Sequence, residues 1–136
     1  MYTYSEYHMK KLYLLIAAMM VATFACAQTR LPNITLKDVS GNDVRLDTLS
    51  NNGKPIVVAF FATWCKPCNR ELNAIDEVYN DWKQETGVKI VAVSIDQAQN
   101  INKVKPLVDE NGWTYQVLLD PNGELKRAMG VQMIPY

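Results

Sequence analysis

Two cysteines separated by two residues, Cys65 and Cys68, are the side chains of this sequence best suited to chemistry. They follow a continuously apolar run and open a segment with helical periodicity. Thiols at this spacing lie about one helical turn apart, so they can close a disulfide or open to a dithiol with little backbone movement. The free N–H groups and positive dipole end of a helix favour a thiolate, which predicts a lowered pKa for Cys65. The positive charge of Lys66 is expected to lower the pKa of Cys65 further.

A C-x-x-C pair also has two less reactive interpretations, a structural zinc site and a structural disulfide. A structural zinc needs about four ligands, and the only further cysteine and histidine are Cys26 and His8. Both lie in a segment that we expect to be removed. A structural disulfide at this spacing is usually labile. A strand-to-helix junction favours a redox-active dithiol, and we predict no metal and no cofactor beyond the Cys65–Cys68 disulfide itself.

The N-terminus has the pattern of an export signal. Lys10-Lys11 precedes an apolar run, and Ala25-Cys26-Ala27 fits the small-x-small rule for cleavage. We therefore predict a signal peptide at residues 1–27, with Met9 as the natural start, and a mature domain at residues 28–136. An uncleaved anchor and a lipid on Cys26 stay open, and they are the only membrane attachments that we expect.

Composition and charge restrict the class of protein. The chain has 136 residues, 49% of them hydrophobic, which favours one domain with a packed core. Its formal net charge is zero and it has no basic run, so nucleic acid is not an expected partner. Export predicts a location in the periplasm or cell envelope of a bacterium, where disulfides persist.

The elements that must position the cysteines alternate between strands and helices. Continuously apolar runs predict strands at Ile56–Phe61, Val88–Ile95 and Thr114–Leu119, buried on both faces as in a parallel sheet. Alternating residues around a Ser-Gly-Asn turn predict a hairpin from Leu31–Lys37 and Val44–Leu46. Together these runs indicate βαβ units with right-handed crossovers.

Three helices are predicted between and after these strands. The first begins at the cysteines and ends at Gly87, the second ends at Gly112, and Glu124–Met129 forms a short third. The first helix carries apolar residues at steps of three and four, which predicts a stripe facing the core. The residues of this stripe are Leu72, Ile75, Val78, Tyr79 and Trp82.

The order of these motifs resembles the thioredoxin-like superfamily, and more narrowly its TlpA/ResA branch of exported thiol–disulfide oxidoreductases. The resemblance rests on Trp64-Cys65-Lys66-Pro67-Cys68, on Glu71 and on Gly130-Val131-Gln132-Met133-Ile134-Pro135. It implies an α/β thioredoxin-like fold, a central sheet flanked by helices, with an N-terminal β-hairpin. Because the sequence stops at Tyr136, we expect this fold to lack its final two strands and last helix. The strand Ile56–Phe61 would then have an open apolar edge.

The resemblance also implies a role for each residue of the site. Cys65 is expected to be an exposed attacking thiolate, and Cys68 the more buried thiol that resolves the mixed disulfide. Pro135 is expected to be a cis-proline across from the dithiol, which leaves the backbone of Ile134 free to pair with a client. A partly buried Glu71 is expected to handle the proton of Cys68. Further substrate contacts are expected from Trp64, Lys66 and Pro67.

Two departures from the family pattern affect these expectations. Ala59 stands where thioredoxin has a buried aspartate, so Glu71 is the only acid near the dithiol that the local sequence offers. Asn73 replaces a proline often found two residues after that glutamate, so the kink that the family has there is not predicted.

The function predicted from these residues is thiol–disulfide exchange with client proteins that carry disulfides or dithiols. The branch usually reduces its clients, for example in cytochrome c maturation, and takes electrons from an upstream membrane donor. A peroxiredoxin-like antioxidant peroxidase is the alternative enzyme, although Ala62 and Val58 replace its characteristic threonine and proline. A copper-delivery protein would need a C-x-x-x-C and a distant histidine, and a non-catalytic domain of a larger exported protein stays open.

Overall fold

The computed structural model describes Met9, Lys10 and residues 30–136. The remainder of the predicted signal peptide, with its cleavage site and Cys26, lies outside the described residues. Residues 31–136 form one compact unit. No helix within the described residues is long and apolar enough to cross a membrane.

This unit is built on a mixed sheet of five strands, namely β1 Thr35–Asp38, β2 Asp43–Arg45, β3 Ile56–Phe61, β4 Lys89–Ser94 and β5 Gln116–Leu119. Their order across the sheet is β2-β1-β5-β4-β3. The pairs β3–β4 and β4–β5 are parallel, whereas β1 pairs antiparallel with both β2 and β5. The parallel core and the N-terminal hairpin are therefore as predicted.

Three helices connect or follow the parallel strands. They are α1 at Lys66–Thr86, α2 at Val104–Asn111 after a 3-10 turn, and α3 at Glu124–Ala128. Helix α1 ends at Gly87 and α2 at Gly112, as predicted. Both glycines have φ of +68° and donate their N–H to a carbonyl of the last turn, a left-handed cap that other residues adopt only with strain.

The core has two layers, one on each face of the sheet. On β4, Ile90 and Ala92 face a cluster with the apolar side of α1 and α2, whereas Val91 and Val93 face a cluster that includes Leu125 of α3. All four residues are at most 2% exposed. The continuously apolar sequence of β4 thus reflects burial on both faces.

The prediction of full burial is wrong for the first half of β3. This strand lies at an edge of the sheet, and Val57 is 44% exposed. The end of β3 is well covered, since Phe60 and Phe61 are at most 1% exposed. The N–H of Phe60 donates to the carbonyl of Tyr136 over 2.7 Å.

The predicted stripe of α1 is only partly correct. Leu72 and Tyr79 are buried and Ile75 packs against them, but Val78 is 37% and Trp82 43% exposed. At about 100° per residue, Val78 and Trp82 are the members of this stripe that lie farthest around the helix from Leu72 and Tyr79. Steps of three and four residues therefore predicted a wider core face than the sheet covers.

Candidate redox site

The two cysteines lie where β3 ends and α1 begins. Cys65 has an extended backbone and occupies the N-cap position of α1, and its sulfur accepts a hydrogen bond from the N–H of Cys68 over 3.3 Å. Pro67 falls in the first turn, where its missing N–H leaves no carbonyl unpaired. The helix start therefore directs the N–H of Cys68 toward the sulfur of Cys65.

Cys65 and Cys68 form a disulfide in this structure, with their Cα atoms 5.3 Å apart. Cys68 is 1% exposed and Cys65 6%, so the second cysteine is the more buried of the two. In the disulfide form Cys65 is less exposed than the sequence led us to expect. Because so little of Cys65 reaches solvent, its sulfur is accessible from a narrow range of directions only.

A buried carboxyl group that sequence reasoning missed supports the loop before the cysteines. Asp96 is 0% exposed and follows β4, the parallel neighbour of β3. Its oxygens accept hydrogen bonds from the N–H and the hydroxyl of Thr63, over 2.8 and 2.7 Å, and from the hydroxyl of Ser94 over 2.8 Å. Three donors compensate the lost hydration of a buried carboxyl. Asp96 thereby holds the backbone two residues before Cys65.

The signal for Asp96 was present but lay far from the cysteines in the sequence. Parallel strands place their carboxyl ends at the same edge of a sheet, so a polar residue after β4 can lie beside the end of β3. The segment Val93-Ser94-Ile95-Asp96 has this form. Thr63 is held from the other side as well, since the amide of Asn69 donates to its carbonyl over 3.2 Å.

The N-terminal half of α1 is tied to the residues that precede β5. The indole N–H of Trp113 donates to the side chain of Asn73 over 2.6 Å, and Asp76 accepts from the N–H of Thr114 over 2.8 Å. Burial, and secondarily Asp76, raise the pKa of Tyr115. Its hydroxyl donates to the carbonyl of Leu72 over 3.1 Å. Asn73, which stands where the family often has a proline, thus joins the helix to Trp113.

Glu71 lies on the exposed side of α1, one turn after Cys68. No hydrogen bond or ion pair involves its side chain within residues 30–136. The partial burial that we expected for this carboxyl is therefore wrong for the described residues. Its role toward the proton of Cys68 stays a prediction.

The structure brings the C-terminal segment to the redox site. The Ile134–Pro135 bond is cis, and Ile134 packs against the apolar cluster that contains both cysteines. Pro135 itself is exposed. The pairing of the Ile134 backbone with a client stays a prediction.

The other residues expected to contact a client are accessible. Lys66 and Pro67 are exposed, and Trp64 is 65% exposed despite its size. Within Met9, Lys10 and residues 30–136, no group of three or more His, Cys, Asp and Glu side chains could hold a metal ion.

The sequence of this chain is similar to those of known proteins. A family model described as the AhpC/TSA family matches residues 27–136. The thiol-disulfide oxidoreductase ResA of Oceanobacillus iheyensis is 36% identical over 108 residues, which cover 76% of this chain and 54% of the relative. The chain therefore spans a little over half the length of the curated relatives that it matches.

Two solved structures share the fold. The solution structure of a thioredoxin-like protein from Porphyromonas gingivalis is 59% identical, with a TM-score of 0.69, and the match covers 78% of this chain and 69% of that one. The crystal structure of StoA from Bacillus subtilis is 27% identical, with a TM-score of 0.57 and coverage of 76% and 78%. Both likenesses agree with the predicted sheet and its flanking helices.

Proposed function

Because the chain belongs to the AhpC/TSA family of thioredoxin-like proteins, we propose that it is a thiol–disulfide oxidoreductase whose reacting groups are Cys65 and Cys68. The observation that carries the proposal is the Cys65–Cys68 disulfide at the N-terminus of α1. The name of the ResA relatives supports the same chemistry.

In the reducing direction, the reduced protein transfers two electrons to a client disulfide. The Cys65 thiolate attacks one client sulfur, which forms a mixed disulfide and releases the other client sulfur as a thiolate. Cys68 then loses its proton and attacks the sulfur of Cys65, which closes the Cys65–Cys68 disulfide and releases the second client thiolate. Each client thiolate takes up a proton, and the protein is left oxidised.

The start of α1 supports the role of Cys65 as the attacking sulfur. A backbone N–H already points at this sulfur, and the helix dipole adds partial positive charge. Both interactions favour a thiolate over a thiol at Cys65. Cys68 is nearly fully buried, so a client disulfide meets Cys65 first.

A peroxidase of the peroxiredoxin type is less well supported by these residues. Its characteristic threonine is replaced by Ala62, which has no hydroxyl to donate to a peroxide. The resolving sulfur lies in the same helical turn as the attacking one, which suits dithiol exchange.

We further propose that the protein is exported and acts on client proteins in a bacterial cell envelope. The signal-like pattern of residues 1–27 supports export. The TlpA/ResA resemblance supports reduction of clients, as in cytochrome c maturation, with electrons from a membrane donor. Glu71 is proposed to exchange a proton with Cys68, and the backbone of Ile134 to pair with the client.

The test is reduction of a model protein disulfide by the reduced full chain. We expect Cys65→Ser to abolish turnover and Cys68→Ala to accumulate a mixed disulfide visible on a non-reducing gel. Cys26→Ser is the matched control, because it removes the one other thiol of the sequence, and we expect it to retain activity. A Cys65→Ser protein that still turns over, or a Cys68→Ala protein that never traps a client, would contradict the assignment.

A further inference from the structure

A groove of about 680 Å³ lies beside the redox motif, and Trp64 forms part of its wall. The remaining walls come from the loop after β4, from the start of α3 with the turn before it, and from the segment that leads to Pro135. Because Trp64 immediately precedes Cys65, a segment bound in the groove lies next to the redox pair.

The charged side chains that line the groove are both cationic, Lys126 and Arg127. Arg127 donates to the carbonyl of Asn122 over 2.7 Å. Lys126 is partly buried as a residue, and its side chain makes no hydrogen bond or ion pair within the described residues. The ion pairs found among those residues involve other cations, Lys37, Arg45 and Lys105.

An ammonium group that lines a groove without an anionic partner favours the binding of an anion. Among the described residues, no carboxylate forms an ion pair with Lys126. A ligand carboxylate at Lys126 would make a charge-assisted hydrogen bond where residues 30–136 supply none.

The other side chains of the groove favour a polypeptide over a small anion. Gln97, Asn100 and Gln132 carry amides, which can donate to and accept from a peptide main chain. The large exposed ring of Trp64 is the kind of residue that anchors protein interfaces. An inorganic anion would fill a small part of the groove and leave these groups without a partner.

We propose that this groove binds a segment of the client polypeptide that carries an aspartate or glutamate close to its reactive cysteine. The client carboxylate pairs with Lys126, and Trp64 packs against the neighbouring client residues. The inference rests on the proposed function for the identity of the client, but the binding step requires no exchange of electrons.

The test compares disulfide-bonded peptides that differ at one position next to a cysteine, where they carry Glu, Gln or Lys. With the reduced full chain, we expect the KM of the Glu peptide to be about fivefold lower than that of the Gln peptide, and the Lys peptide to be poorest. In Lys126→Gln this preference should fall to about one. Lys54→Gln is the matched control, because Lys54 is exposed at the opposite, amino-terminal end of β3, and it should keep the preference.

A second measurement separates this inference from the proposed function. Labelled peptides with serine in place of cysteine are titrated with the oxidised full chain, and fluorescence anisotropy reports binding without exchange. Tighter binding of the Glu peptide that depends on Lys126 supports the groove even if no peptide is reduced. Equal binding of Glu and Gln peptides, or a preference that Lys126→Gln keeps in full, would overturn it.

Discussion

Two buried carboxyl groups at the same edge of the sheet stabilise different parts of the molecule, one through a distant segment of the chain and the other through a local turn. Asp96 follows β4 and Asp120 follows β5, and both are at most 1% exposed. Asp96 binds Thr63, which lies 33 residues earlier in the chain. Asp120 binds backbone N–H groups only four and six residues later, those of Glu124 and Lys126, over 2.7 and 2.9 Å.

This difference in sequence range distinguishes the loop that carries the cysteines from the start of α3. The loop that carries the cysteines depends on a contact between neighbouring strands, so it is correctly placed only when the sheet has formed. The start of α3, which carries the groove cation Lys126, is organised by a local turn. Removal of either carboxyl leaves partly buried donors unpaired, but the functional consequences should differ.

The largest effect is expected from Asp96→Ala. Loss of this carboxyl leaves the N–H and hydroxyl of Thr63 unpaired in a partly buried setting, which should lower the free energy of unfolding by about 3 kcal/mol. The loop before Cys65 also loses its support. We therefore expect reduction of a small aromatic disulfide by the reduced protein to slow by about tenfold, measured at a temperature where the variant is folded.

Asp96→Asn is the matched control, because it preserves shape and one acceptor oxygen. It should recover part of both the stability and the rate. An Asp96→Ala protein that is destabilised but reacts as fast as the parent would mean that Asp96 supports the fold and not the redox loop.

A smaller effect is expected from Asp120→Ala, about 2 kcal/mol in the free energy of unfolding by urea titration. Since Asp120 organises α3 and not the redox loop, reduction of the same small disulfide should slow much less than in Asp96→Ala. The Glu-over-Gln preference among peptides should fall, because the backbone of Lys126 loses its anchor. Equal slowing in the two alanine variants would remove the distinction between the two carboxyls.

Thr63→Val tests how much one of the two hydrogen bonds between Thr63 and Asp96 contributes. It removes the hydroxyl that donates to Asp96 over 2.7 Å and keeps the backbone N–H that donates over 2.8 Å. We expect a loss of about 1 kcal/mol in the free energy of unfolding and a modest slowing of the redox reaction. Thr48→Val is a control, since that hydroxyl bonds only the nearby carbonyl of Arg45.

The smallest effect is expected at Asp38, a carboxyl of the hairpin turn that solvent reaches. Hydrogen bonds from the Asn42 side chain, and then from the N–H groups of Asn42 and Ser40, lower its pKa below the ordinary 3.8. A lowered pKa means that its stabilisation is complete above pH 3.8 and is lost as the pH falls through the lowered value.

The melting temperature of Asp38→Asn should therefore lie slightly below that of the parent at pH 7, and the gap should close in strong acid. A gap that widens in acid would contradict the assignment of the shift to this turn.

Local patterns in the chain were sufficient for much of the fold. The bounds of β3, the start of α1 at the cysteines and its end at Gly87 follow from apolar runs, a helical period and a left-handed cap. The turn at Asp120-Pro121-Asn122-Gly123 could be predicted for the same reason, since its bonds span a few residues.

Side-chain burial was less predictable than the elements. Val57, Val78 and Trp82 are apolar but substantially exposed, because their burial depends on which elements cover β3 and the flank of α1. The valines of β4, Val91 and Val93, are buried, and that strand has a neighbour on either side.

The paired cysteines and the helix that follows them were recognisable from residue types and short spacings, and the cis-proline at Pro135 from the family resemblance. What required the folded molecule was the assembly around them, namely Asp96 under the redox loop, the exposed position of Glu71 and the cationic groove beside Trp64. The reason is range: a helix start or a turn is decided by interactions within a few residues. A strand's neighbours, and the side chains that meet at its end, are decided only when distant segments pack together.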